Sequence, residues 1–167
     1  GASLEFRHSI LTNCQASGSG GGVHVSEGSD VRVFESAFEE CVADAEGGGV
    51  YLSQSSLVLE RSSVRSCSAD KGGAVYGSGS QVTVSGGTYE GNTAGASGGM
   101  AYVDQSLLVV TDASIVGCEA ERGGAVYAME GAAHVRRSTM RDNYARKHGG
   151  AMYGHTRAEL IFSENTL

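Results

Sequence analysis

The chain has 167 residues, among them 26 glycines, with no proline or tryptophan and only 19% charged residues. Its formal net charge of -7 argues against nucleic acid as a partner, because phosphate binding needs clustered Lys and Arg. No apolar run reaches the roughly 18 residues of a membrane span, so no direct span is expected in this segment.

Taken in chain order, the predicted elements recur at about 25 residues, and each period reads as three short strands. The first strand carries two apolar residues separated by one: Leu4 and Phe6, Val31 and Val33, Leu57 and Leu59, Val82 and Val84, Leu108 and Val110. The pattern continues as Ala133 and Val135, then Leu160 and Phe162. Strict alternation over a few residues marks a strand with one buried face. The second strand has a large apolar residue, then Cys or Asn three places on, then Ala: Leu11, Cys14 and Ala16 are followed by Phe38, Cys41 and Ala43. The third strand is entered through a glycine pair, and Gly-Gly-Ala-Val-Tyr occurs twice, at 72–76 and 123–127. Aligned on Gly22, Gly49, Gly73, Gly99, Gly124 and Gly150, the periods are 27, 24, 26, 25 and 26 residues.

No helical spacing of apolar residues persists, and a glycine pair in every period would break a helix. Three strands of about five residues per period match one coil of a parallel β-helix. Coils stack at about 4.8 Å, so six make a rod roughly 29 Å long in which like residues stack on like. The fold class expected is all-β: one solenoid over residues 1–167. Both ends fall in mid-coil without a polar cap, so the segment is expected to belong to a longer β-helix.

Cys14, Cys41, Cys67 and Cys118 share one repeat position, which Asn92 and Asn143 hold in the other two copies. Parallel Cβ vectors at that position fit a disulfide poorly, and Cys118 lies two coils from Cys67. Free, mostly buried thiols are expected, read as packing rather than as a soft-metal site.

The Gly-Gly-Ala-(Val/Ile/Leu) segment paired with an aromatic-x-x-Asn segment, as in Tyr89 to Asn92, resembles the repeat signature of the polymorphic outer membrane proteins of chlamydiae. The likeness spans the whole chain. It implies a right-handed parallel β-helix of the kind found in autotransporter passengers that act in adhesion. This chain departs from the pattern by carrying Cys in place of Asn in four of six coils. Phe162-Ser-Glu-Asn165 imitates the second motif, although by phase Phe162 belongs to a first strand.

Polysaccharide-cleaving β-helices cluster acids with Arg or Lys on neighbouring coils. Here Asp30, Asp44, Asp70, Asp104, Asp112 and Asp142 fall at different phases, and Glu39 and Glu40 have no acidic match in the next coil. The histidines are equally scattered, and no Cys/His cluster of the kind zinc requires is visible. The expectation is no catalytic residue, no metal ligand and no cofactor.

Two outward stripes suggest contact instead. If Val23, Val50, Ala74, Met100, Ala125 and Ala151 point inward, then Tyr51, Val75, Val126 and Met152 point out. On the first strand, Val58, Val109 and Ile161 also face outward. Such an apolar strip implies a covering partner. With the opposite parity, Tyr76, Tyr102, Tyr127 and Tyr153 form an outward aromatic ladder suited to stacking on sugars. The leading expectation is a non-enzymatic structural or adhesive module, extracellular or on the cell surface, facing a protein partner, a larger assembly or a glycan. The alternatives are a carbohydrate-active β-helix with its catalytic residues elsewhere, and an accessory subunit docked through its apolar face.

Overall fold

The computed structural model describes residues 1–166, and all regular structure among them is parallel β. The chain winds through four sheets in turn and pairs only with the coil before and after it. Sheet 1 has seven strands, from Ser3–Arg7 to Glu159–Ser163. Sheets 2, 3 and 4 have six each, beginning with Ile10–Thr12, Gln15–Ala16 and Val23–Val25. Among the described residues no helix is long and apolar enough to cross a membrane.

There are therefore four strands per coil, not the three expected. The second predicted strand breaks just before the Cys/Asn position, where Asn13, Glu40 and Ser66 adopt φ of 55°, 53° and 51°. A left-handed residue turns the chain sharply, so the residues on either side enter different sheets.

All four corners use this device. His8, Glu35 and Arg61 turn the chain between sheets 1 and 2, and Gln54, Gln105 and Glu130 turn it between sheets 4 and 1, all at positive φ. Side chains are tolerated there because they project into solvent. The corner between sheets 3 and 4 admits only glycine. A Cβ on Gly72 would lie 2.3 Å from the Val75 carbonyl oxygen, and one on Gly73 would lie 2.4 Å from that of Gly99 in the next coil. The glycine pair thus marks the corner where the coils approach most closely.

Inside the other three corners a row of serine, cysteine or asparagine side chains bonds the backbone that the turns leave unpaired. Between sheets 4 and 1 the Ser29 N–H donates to Ser55 Oγ at 3.2 Å, and the Ser55 N–H donates to Ser80 Oγ at 3.1 Å. Between sheets 1 and 2 the Ser36 N–H donates to Ser62 Oγ at 3.1 Å. Asn165 enters this second row, with its Oδ1 accepting the Ser138 N–H at 2.7 Å. Phe162 pairs with Val135 in sheet 1, so the imitation of the second motif is local.

Between these corners the inward faces form apolar ladders. Phe38, Val64, Tyr89 and Ile115 stack from sheet 2, and Val33, Leu59, Val84 and Val110 from sheet 1, all essentially inaccessible to solvent. Stacking like on like in consecutive coils gives one continuous core along the axis. Differences in coil length are absorbed in sheet 3, whose register shifts by one residue between Ala69 and Lys71.

Candidate functional site

A broad, open groove runs along the corner between sheets 4 and 1, about 760 Å³ in volume. One wall is built from the left-handed corner residues Gln54, Gln105 and Glu130. The other is built from the first residues of sheet 1 strands, including Asp30, Gln81 and Glu159. The buried serine row forms the floor. Each hydroxyl donates back to its own chain, as Ser80 Oγ does to the Ser78 carbonyl at 2.8 Å, and accepts an N–H from the preceding coil. The floor is rigid because both capacities of each hydroxyl are used.

Polar groups thus recur once per coil. Gln105 Nε2 donates to Glu130 Oε2 at 3.2 Å, and Ser56 Oγ donates to Asp30 Oδ1. Gly79 interrupts the outer row: a Cβ there would meet only Gln54 Cγ, at 3.7 Å. The gap deepens the groove at its centre.

Beside the groove, sheet 4 carries the aromatic ladder. Tyr51, Tyr76, Tyr102 and Tyr127 stack with ring centroids 5.3, 5.1 and 4.8 Å apart and planes within 11° of parallel. His24 stacks on Tyr51 at 4.5 Å. Tyr76, Tyr102 and Tyr127 are only 8%, 6% and 5% exposed, because each ring face lies against the next ring. Sugar stacking needs a free face, so the interior of this ladder cannot supply it. Burial, reinforced by Glu46 and Asp104, pushes the Tyr76 hydroxyl up to about 12. Burial raises Tyr102 and Tyr127 in the same direction. These are neutral phenols at physiological pH, fit for packing rather than proton transfer.

The second of the two parities considered is therefore the one adopted. Val75 pairs with Val50 and Tyr76 with Tyr51, whereas alignment on the last glycine of each copy would set Ala74 against Val50. Coil two has three glycines and coil three has two followed by alanine, and the left-handed residues Gly47 and Gly72 fix the register. As a result Ala74 and Val75 both lie in the core, and the expected outward placement of Val75 and Val126 is corrected: both are fully buried. Met152, paired with Val126, also faces the interior and lines a small apolar hollow with Ala151, Leu160 and Phe162. Tyr51 does face outward. Val58, Val109 and Ile161 share an outward row on sheet 1, half-buried and interleaved with Thr83 and His134. The seven residues do not form one strip, since they belong to two sheets and both sides of the wall.

A feature not anticipated from the sequence runs outside the corner between sheets 1 and 2. Glu35 accepts from Arg61 Nε at 2.9 Å and lies 3.3 Å from His8 Nδ1. Three coils on, Arg137 grips Asp112 through two bonds of 2.9 and 3.0 Å. Opposite charges alternate along the axis, with Gly86 as a gap, at the same 25–27 residue spacing as the apolar ladders. That spacing was available in the sequence but hidden by dissimilar residue types.

The four cysteines are free thiols, Cys14 partly exposed and the others buried. Among the described residues no three His, Cys, Asp or Glu side chains converge as a metal cage. Within the corner between sheets 2 and 3, cysteine and asparagine do the same work. Asn92 Oδ1 accepts the Cys67 N–H at 3.0 Å, and its Nδ2 donates to the Val64 carbonyl at 2.8 Å. The Cys41 sulfur likewise donates to the Leu11 carbonyl of the preceding coil, at 3.7 Å.

Residues 1–107 match the family model described as a right-handed β-helix region. No curated protein and no solved structure matches the chain. The match covers well over half of the sequence and agrees with a parallel solenoid of about six coils, so the chain belongs to the right-handed β-helix family.

Proposed function

We propose that this β-helix is a non-enzymatic adhesive module, which holds an extended glycan along the groove between sheets 4 and 1. The observation that carries the reading is that each coil from Asp30 to Glu159 sets an amide or carboxylate along the groove, on one wall or the other, over a rigid serine floor. A polymer whose own polar groups repeat along its length meets one donor–acceptor set per coil. Affinity then grows with the number of coils engaged rather than with the depth of a pocket. The repeat's resemblance to the adhesive passengers of chlamydial polymorphic outer membrane proteins supports the same reading, in which the module would act outside the cell.

A glycan array followed by calorimetry tests this. Binding to extended chains that strengthens with chain length, and that weakens in Gln105→Ala, supports the reading. Cleavage of a bound polysaccharide would instead identify a carbohydrate-active enzyme. Capture of a protein partner that Gln105→Ala leaves intact would move the interaction off the groove.

A further inference from the structure

Cys14, Cys41 and Cys67 occupy the same corner in three consecutive coils. The strands on either side are paired in register, Leu11 with Phe38 with Val64 and Gln15 with Val42 with Ser68. Their sulfurs therefore form a single file with the spacing of the coils, about 4.8 Å. Cys118 holds the same position but stands alone, with Asn92 and Asn143 in the coils on either side.

As polar clamps the three thiols are weaker than asparagine, because S–H is a weak donor and sulfur a weak acceptor. The Cys67 sulfur reaches its carbonyl partners at 3.4 and 3.8 Å, and that of Cys41 at 3.6 and 3.7 Å. Asn92 and Asn143 close the same corner with bonds of 2.8 to 3.0 Å. Closing the corner alone would favour asparagine throughout. Three adjacent sulfurs offer something that asparagine does not.

We propose that the row Cys14–Cys41–Cys67 is a binding site for a soft d¹⁰ cation, Cu(I), held linearly between Cys41 and one of its two neighbours. Two metal–thiolate bonds of about 2.3 Å span about 4.6 Å, close to the coil spacing. Thiolate sulfur selects Cu(I) over harder ions, and linear coordination needs only two ligands on opposite sides, not the converging cage that zinc demands. The in-register stacking sets the Cys41 sulfur between those of Cys14 and Cys67, so either neighbour can supply the second ligand along the axis. Binding joins Cu⁺ to the sulfurs of Cys41 and one neighbour, and each thiol releases its proton to solvent; the product carries one negative charge and no electron is transferred. Partly exposed Cys14 provides the way in.

Anaerobic titration of the reduced protein with Cu(I), in competition with the chelator bicinchoninate, tests the site. One Cu(I) per chain is expected. Cys41→Ser should weaken binding by roughly a hundredfold or more, as should Cys14→Ser combined with Cys67→Ser, while Cys118→Ser binds like the wild type. A wild-type protein that leaves the metal with the chelator overturns the proposal, and so does a Cys41→Ser variant that binds as well as the wild type. X-ray absorption on the unmodified Cu(I) protein gives a reading that needs no substitution. Two sulfur neighbours in linear geometry support the site, and a shell of nitrogen or oxygen ligands overturns it.

Discussion

Asn92 and Cys67, one coil apart, are tied by one amide: the Asn92 Oδ1 takes the Cys67 N–H at 3.0 Å, while its Nδ2 reaches the Val64 carbonyl at 2.8 Å. Asn92 is fully buried, so neither backbone group has water as a substitute. Asn92→Ala leaves both unpaired and should cost about 2–4 kcal/mol by urea denaturation. Asn92→Cys should cost about half as much, because the sulfur at this corner still donates to the carbonyl of the preceding coil, as those of Cys41 and Cys67 do.

The glycine corner gives a paired prediction. Gly73→Ala forces a Cβ to within 2.4 Å of two carbonyl oxygens, those of Gly99 and Thr93, and neither belongs to a flexible side chain. It should lower stability by about 3 kcal/mol or more, or prevent folding. Gly91 is also left-handed, at φ 62°, yet a Cβ there meets nothing closer than Ser66 Oγ at 3.8 Å. Asparagine holds the equivalent place at Asn13, so Gly91→Asn should fall within about 0.5 kcal/mol of the wild type in the same measurement.

Tyr89 stands inside the core between Val64 and Ile115, and its hydroxyl has no hydrogen-bond partner. A buried, unpaired hydroxyl carries its desolvation cost with nothing to offset it. Tyr89→Phe keeps the ring and removes that cost, so the urea midpoint should rise, corresponding to about 1 kcal/mol. A fall would mean that the hydroxyl is solvated in solution.

The tyrosine ladder sets an alkaline limit. In the unfolded chain tyrosines ionise near pH 10, whereas burial holds Tyr76 protonated to about 12 and moves Tyr102 and Tyr127 the same way. Above pH 10 the folded state therefore binds protons that the unfolded state has lost. This contribution to stability is fully present below about 10 and is lost as the pH rises toward 12. Phenolate absorbance should show a delayed component that disappears in urea.

Much of the architecture was legible because alternation and period are direct imprints of burial. The inward pairs Val33 and Leu59 or Val84 and Val110 declare sheet 1 without help from the structure. The fourth strand was not legible, since a left-handed backbone leaves no chemical mark: His8, Glu35 and Arg61 share a conformation but no side-chain chemistry. The parity of sheet 4 turned on one residue. Gly49 and Gly73 look equivalent in a string of letters, but Gly48 is the residue that meets Gly73 across the coils. The groove lay hidden for a related reason, as Gln54, Gly79, Gln105 and Glu130 become a row only once the corner is known.

Among the described residues every strand is paired only with its counterpart one coil before or after it, and none with anything more distant. The longest loop that must close before a new strand is rewarded is therefore a single coil, and that cost is the same at the sixth coil as at the second. A chain emerging from the ribosome needs no distant segment to complete what it has already made. Each finished coil is the template for the next, so the molecule lends itself to growth in the order of its synthesis, one rung at a time.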